Sequence, residues 1–502
     1  MLIQVVFSMN FSRNIDENLD YIKEKFCFGK NKDIIIREFK TASGIRCFLA
    51  YIDGMADTSG INDFIIRAVM LNNMPRDKFD LIGILEYNNV ESENDIDKAS
   101  TSILQGDTMV YSEDMTKCAI VETKSFDKRS VDSPDTEAVV KGSHEGFTES
   151  IRTSITLLRR IIKSPKLCTE FVTVGGINGC RCAIMYLDDL TSDKLVNEVR
   201  FRLNNIKGDY ISGAGMVEQL IEDSTWSLFP SILSTERPDR TAEYLTAGRI
   251  AVICDNTPFA LIMPISLSVL LDSPEGNQQR WQNGTFSRII RTFAFILSTM
   301  LSGIYIALTC FHRELIPSEL LTIIADARTH IPFSSLAELI VMEIFFELVR
   351  EAGLRVPNAV GSAIGVVGGL ILGQAAVDAG IVSPATLIVF AISGIANGVI
   401  PDYDLSSGIR VLKFGFIILG GTLGFLGIGA GLILVLTMLA KQSSFGESML
   451  SPAVMARGVG GNMVYQRPIW KQELRAKILN PKSVRQQPDI SRQWSVSEDE
   501  NE

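Results

Sequence analysis

Two regimes of hydrophobic patterning divide the chain. In its first half apolar residues alternate with polar ones or recur at helical spacing in short runs; later they gather into long runs with few charges. Short runs of period two around a glycine turn predict β-hairpins. EFKTASGIRCFLAYIDGM, from Glu38, and EFVTVGGINGCRCAIMYLDDL, from Glu170, each read as one. With three extra residues in the second turn, Glu38 and Phe39 match Glu170 and Phe171. Gly44, Arg46, Cys47, Tyr51 and Asp53 then match Gly179, Arg181, Cys182, Tyr186 and Asp188. A helical pattern follows each hairpin, near 58–72 and 191–206.

The likeness continues downstream. LQGDTMVYSEDMTKCAIV (104–121) parallels LTAGRIAVICDNTPFALI (245–262). In both, a helix is expected to end at a glycine, Gly106 or Gly248, placed as a left-handed C-cap, before a second hairpin. RPDR (237–240) suits a helix start, with Pro238 and Asp239 in the first turn. The soluble half thus reads as two copies of one α/β module, about 30–124 and 165–263. Between them SIRTSITLLRRIIKS (150–164) carries Ile151, Ile155, Leu158 and Ile162 on one helical face, expected to pack on its own domain rather than on lipid.

The long apolar runs predict membrane helices, since about 20 apolar residues span a bilayer core. Residues 289–311 qualify, with Arg288 and Arg291 expected to snorkel at the start. So do 357–381, 384–400 and 408–440, the last long enough for one tilted helix or two short passes, which makes four spans. TPFALIMPISLSVLL (257–271), broken by Pro264, reads as an interfacial or re-entrant entry segment. SLAELIVMEIFFELVREAG (335–353) carries Glu338, Glu343, Glu347 and Glu351, the last three on one face. That favours a helix lying on the membrane surface; a spanning helix would have to turn its acids to protein or water. Residues 441–495 hold nine Lys+Arg against three Asp+Glu, so the tail is expected in the cytoplasm, and with it the N-terminus. The expected organisation is an α/β N-terminal region of two similar modules (1–124 and 165–256) joined by a linker and helix (125–164), a helical multi-pass membrane domain (257–440), and a basic, partly disordered cytoplasmic tail (441–502).

Composition agrees with this division. Mean hydropathy is +0.20, high for a soluble protein. Residues 1–257 nevertheless hold 30 Lys+Arg and 39 Asp+Glu, an ordinary soluble balance. The net charge of −10, without a basic patch, argues against nucleic-acid binding. The eight cysteines form no CxxC, and Cys180 and Cys182 read as neighbours on one strand face. Free thiols suit a reducing compartment, and no signal peptide is evident. No phosphate loop, HExxH or GxSxG is present, so neither enzyme activity nor a cofactor is expected. GIGAG (427–431) lies inside an apolar run and reads as helix packing. Asp188-Asp189 and Asp402-x-Asp404 could hold a cation, but as turn and helix-end carboxylates they need no metal.

From Val356 to Ile400 the only charged residue is Asp378. On a helix, Gly361, Gly365, Gly369 and Gly373 form one close-packing stripe. Ile364, Val367, Ile371, Gln374 and Asp378 form the opposite stripe, apolar first and polar at its end. This second stripe either lines a pore, with Val367 and Ile371 as a dewetting constriction and Asp378 as a cation-selecting ring, or packs against protein while Gln374 and Asp378 reach the headgroups.

KGSHEGFTESIRTSITLLRRIIKSPKL, ERPDRTAEYLTAGRIAVICDNTPFALIMP and LRVPNAVGSAIGVVGGLILGQAAVDAGIVSPATLIV resemble the GerA family, the A subunits of bacterial spore germinant receptors and a close sporulation branch. The resemblance covers roughly 15–460. Two stretches depart from it: Gly142 to Phe147, where the family often reads GPREGF, and the polar DSPEGNQQRW (272–281). The resemblance implies a protein of the inner spore membrane, acting with a transporter-like B subunit and a lipoprotein C subunit. It also implies self-association into a pentamer-like channel that releases monovalent cations when nutrient is sensed. A non-conducting sensory or scaffold subunit is the alternative; a secondary transporter fits less well, because the duplication lies in the soluble half.

Overall fold

Two five-stranded antiparallel sheets follow each other in the computed structural model, which describes residues 9–76, 79–125, 133–134, 136–137, 139, 141–329, 331–355, 373–450, 464–472, 474–475 and 479–486. The first contains β1 (Ile34–Lys40), β2 (Arg46–Ile52), β3 (Val90–Glu93), β4 (Thr108–Ser112) and β5 (Cys118–Val121), in the order β1-β2-β4-β5-β3. The second contains β6 (Leu167–Val174), β7 (Cys180–Leu187), β8 (Leu233–Thr235), β9 (Ile250–Cys254) and β10 (Ala260–Met263), in the order β6-β7-β9-β10-β8. One topology is used twice. The hairpins that match in sequence are β1–β2 and β6–β7, and the fainter downstream match is β4–β5 and β9–β10. Gly106 and Gly248, at φ +99° and +96°, take the left-handed conformation their place after a helix requires.

Helices cover both faces of each sheet, so the central strands read as near-continuous apolar runs. In the first module α1 (Ile15–Lys25) and α2 (Ile96–Leu104) pack on Phe48, Ala50, Met109 and Tyr111, while the helical stretch 58–71 packs on Leu49 and Val110. In the second, α3 (Ile151–Ile161) joins α6 (Pro238–Thr246) on Ala183, Met185 and Ala251. On the opposite face α4 (Asp193–Asn204) and α5 (Ala214–Ile221) cover Cys182, Ile184 and Val252. Ile151, Ile155, Leu158 and Ile162 are buried in that second module, not turned to lipid. The helix expected as a connector is therefore the first element of module 2, as α1 is of module 1, and the repeat begins one helix earlier than the hairpin match suggests. Cys180 and Cys182 lie in one core cluster on β7.

Arg159, on α3, fixes the modules together. Its guanidinium donates twice to Asp33 at 2.8 Å and once to the Leu167 carbonyl at 2.7 Å, with 1% of the residue exposed. Thr169 Oγ1 donates to the same carboxylate at 3.1 Å, and the Lys32 N–H donates to the Thr169 carbonyl at 2.9 Å.

The helical half contains α7 (Trp281–Cys310), α8 (Ser318–Arg328), α9 (Ser335–Arg355), α10 (Gly373–Asp378), α11 (Pro384–Gly398), α12 (Tyr403–Leu423) and α13 (Phe425–Lys441). By length and hydropathy α7 and α12 can each cross a membrane, and α11 and α13 are shorter apolar helices. Two expectations are corrected here, and one left open between two forms is resolved. The proposed entry segment 257–271 contributes strand β10, buried between β9 and β8, because its apolar run Ala260–Met263 continues the sheet of module 2. Module 2 therefore runs past residue 256. Arg288 does not snorkel: it is bound to Asp272 at 2.8 Å, and Arg291 donates to the Leu271 carbonyl, so both tie α7 to the soluble half. Residues 408–440 are two helices, since the chain reverses at Gly424 (φ +59°) and α13 folds back on α12, with Gly427 and Gly431 of GIGAG against Leu419 and Phe416.

Contacts fix the direction of every long helix relative to module 2. Gly408, near the start of α12, lies against the Leu228 carbonyl, while its end meets Phe311 and His312 at the far end of α7. α11 runs back towards module 2: Thr386, at its start, meets Tyr305 near the far end of α7, and Asn397 bonds Ser406 near the start of α12. α13 ends at module 2, where Gln442 donates to the Phe229 carbonyl. There β11 (Ser443–Ser444) and β12 (Glu447–Ser448) follow, and Phe445 enters the module 2 core.

Candidate functional site

Among the pore-stripe residues the structure describes Gln374 and Asp378; Ile364, Val367 and Ile371 lie outside the described residues. Of the glycine stripe Gly373 is described, and Gly361, Gly365 and Gly369 lie outside. Gly373 is buried, with the Leu387 methyl groups of α11 3.4 and 3.6 Å from where a side chain would begin, an ordinary contact. Gln374 and Asp378 are exposed on the opposite side of α10. The turn after α10 closes when the N–H groups of Ile381 and Val382 donate to the Ala376 carbonyl, seating Val382 against Met342 and Phe390.

Beside α10 stands α9, whose acids point inward. Glu343 is buried and pairs with Lys413 of α12 at 2.7 Å. Glu347 pairs with Arg410 of α12 at 3.2 Å and with Arg350 on its own helix at 3.4 Å. Glu338, also buried, accepts from the Ser383 N–H at 2.8 Å and the Thr386 hydroxyl at 3.2 Å, at the start of α11. Glu351 turns away and binds Arg355. The outward face of α9 shows Ile344, Phe345 and Leu348, about half exposed each. This is the reverse of a helix resting on a membrane surface, and that expectation is corrected. Helical spacing put the acids on one face, but the cations that bind them lie on another helix. Lys413 and Arg410 had no signal in the sequence beyond being charges in an apolar stretch.

The close packing among the described helices falls on glycines outside the predicted stripe. At the α7–α12 crossing a side chain on Gly420 would begin 2.5 Å from the Gly303 carbonyl, and one on Gly303 would begin 2.5 Å from the Phe416 carbonyl.

Where α12 meets module 2, a cavity of about 550 Å³ is lined by Glu137, Glu218, Glu222, Asp402, Asp404 and Phe229, among others. Burial, with Asp404, Asp402 and Glu222 nearby, pushes Glu218 up to about 8. Asp402 caps α12 by accepting from the Leu405 N–H at 2.8 Å. Asp188 binds Lys30 at 2.7 Å. One carboxylate of each pair weighed as a cation site thus has a structural partner.

Comparison with known proteins supplies a context for this geometry. A family model described as Bacillus/Clostridium GerA spore germination protein matches residues 20–478. Spore germination protein KA of Bacillus subtilis is 35% identical over 502 residues, covering 97% of this chain and 91% of that one. The uncharacterized membrane protein YfkQ of the same organism is 34% identical over 447 residues, covering 88% of this chain and 86% of its own. The crystal structure of the N-terminal domain of the A subunit of the Bacillus megaterium spore germinant receptor GerK3 is 34% identical, with a TM-score of 0.40, over 51% of this chain and 96% of that one.

Proposed function

The chain belongs to the GerA family of spore germination proteins, and on that basis we propose that it is the A subunit of a nutrient germinant receptor. In this reading copies of the helical half assemble into a channel for monovalent cations in the spore membrane, alongside B and C subunits.

The observation that carries the channel reading is the exposure of Gln374 and Asp378 beside helices whose outer faces are apolar. An amide and a carboxylate at that place need water or a neighbouring copy, since lipid favours neither. The stripe Ile364, Val367 and Ile371 continues their helical face in sequence and is proposed to line the same path. The helix directions support a multi-pass reading. Five helices, α7, α9, α11, α12 and α13, run between a near end at module 2 and a far end. Because α13 ends against module 2, the soluble half and the chain that follows α13 are proposed to share one side, the cytoplasm.

The test is reconstitution of the full chain in planar bilayers. A self-associated, cation-selective conductance is expected, with Asp378→Asn moving the reversal potential towards that of a non-selective pore. A protein that stays monomeric in native lipid would overturn the pore assignment and favour a scaffold subunit, and a reversal potential unchanged by Asp378→Asn would remove Asp378 from the selectivity role.

A further inference from the structure

Glu343 and Lys413 are buried charges that the channel reading does not use. We propose that Glu343–Lys413 and Glu347–Arg410 form a latch that holds α9 against α12 and lets go only when water enters the seam between them. The inference rests on the membrane reading of the helical half, not on conduction.

The seam has a regular register. Leu336 meets Gly421, with 2.7 Å from its Cδ1 to where a Gly421 side chain would begin; Glu343 meets Lys413; Glu347 meets Arg410. The position on α9 rises as that on α12 falls, so the helices are antiparallel and the charges occupy the half of the seam nearer module 2. Apolar packing closes the other half, through Leu336, Leu339 and Ile417.

Lipid changes what holds such a seam. In water apolar burial would keep α9 in place, but lipid tails solvate Ile, Phe and Leu as well as another helix does. The outward Ile344, Phe345 and Leu348 already show that α9 suits lipid. Separation in a dry membrane would leave Glu343 and Lys413 as bare charges in hydrocarbon, which is strongly unfavourable. Separation into a wet gap restores their hydration. Because the desolvation penalty of a buried pair roughly offsets its attraction, little then opposes opening. The same two residues therefore lock a dry seam and free a wet one. Glu338 plays a different part: its oxygens are taken by Ser383 and Thr386, and Arg328 stands 3.9 Å away, so it ties α9 to the start of α11.

The test is disulfide formation between Leu336→Cys and Gly421→Cys in the full-length chain in lipid nanodiscs, in a Cys310→Ser background. Neutralising the pair with Glu343→Gln and Lys413→Met together keeps its volume and removes its charge. Cross-linking is expected to fall about tenfold, equivalent to about 1.4 kcal/mol, and the exchanged pair Glu343→Lys with Lys413→Glu is expected to restore it. An unchanged rate in the neutral pair overturns the latch. So does a fall that the exchanged pair leaves in place, since it would assign the effect to packing. The readout needs no current, so it stands apart from the fate of the pore assignment.

Discussion

Glu218 shows what one residue at the junction contributes. Burial, then the carboxylates of Asp404, Asp402 and Glu222, raise it from the ordinary 4.5 to about 8. The folded chain thus keeps a proton that the unfolded chain loses at lower pH. The stabilisation from this group is complete below about 4.5 and is lost as pH rises through about 8. Glu218→Gln, which cannot ionise, should lose nothing over that window. In detergent, the melting temperature of the variant minus that of the parent should grow between pH 5 and 8.5, with other titrating groups cancelling in the difference; parallel melting curves would remove this role. Little of this was legible in the sequence, because Asp402 and Asp404 lie more than 180 residues downstream and reach Glu218 only through the fold. The acids of 335–355 teach the same lesson with opposite sign. Their spacing fixed that Glu343 and Glu347 share a face, but the medium that face meets is set by Lys413 and Arg410 on another helix.

Among the elements, the hairpins were the most legible, since period two, a glycine turn and recurring identities combine in two places. The helix α3 was legible, but its place in the repeat was not, because α1 and α3 share their packing role rather than their residues. Glycine packing was legible in kind and displaced in position. A stripe of four draws attention at 361–373, yet the described α7–α12 crossing depends on Gly303 and Gly420, one from each helix, and no spacing within one helix can pair them. Their contact gives a sharp contrast. Gly420→Ala puts a methyl group 2.5 Å from the Gly303 carbonyl and should cost about 1–3 kcal/mol through forced separation of the helices. Gly415→Ala, on the same helix, meets nothing within 4 Å and should be neutral or stabilising by up to about 1 kcal/mol, as helix propensity favours alanine. Thermal denaturation in one detergent compares them directly. Equal melting temperatures would mean the crossing is not close-packed.

At the scale of the molecule, the two modules meet the helices differently. Module 2 is joined to the bundle where the chain enters, at Asp272 with Arg288, and where it leaves, at Phe229 with Gln442. Ser444 adds a third tie: its hydroxyl donates to the Ser231 carbonyl and accepts from the Ile265 N–H. Module 1 is held to module 2 by the buried Arg159–Asp33 pair and the backbone link from Lys32 to Thr169. Module 1 is thus linked to the helices by a route through α3 and β6 of module 2. Arg159→Met should expose how separable that route is. It removes one partner and leaves the Asp33 carboxylate buried without its cation, a loss of about 3–5 kcal/mol. Hydrogen exchange should speed up at residues 30–34 and 167–169 while α12 and α13 keep their protection. Adding Asp33→Asn, which removes the stranded charge, should recover much of the loss. Faster exchange throughout the bundle would instead mean that module 1, module 2 and the helices open as one unit, and the junction at Arg159 would then be part of a single core rather than a joint between two copies.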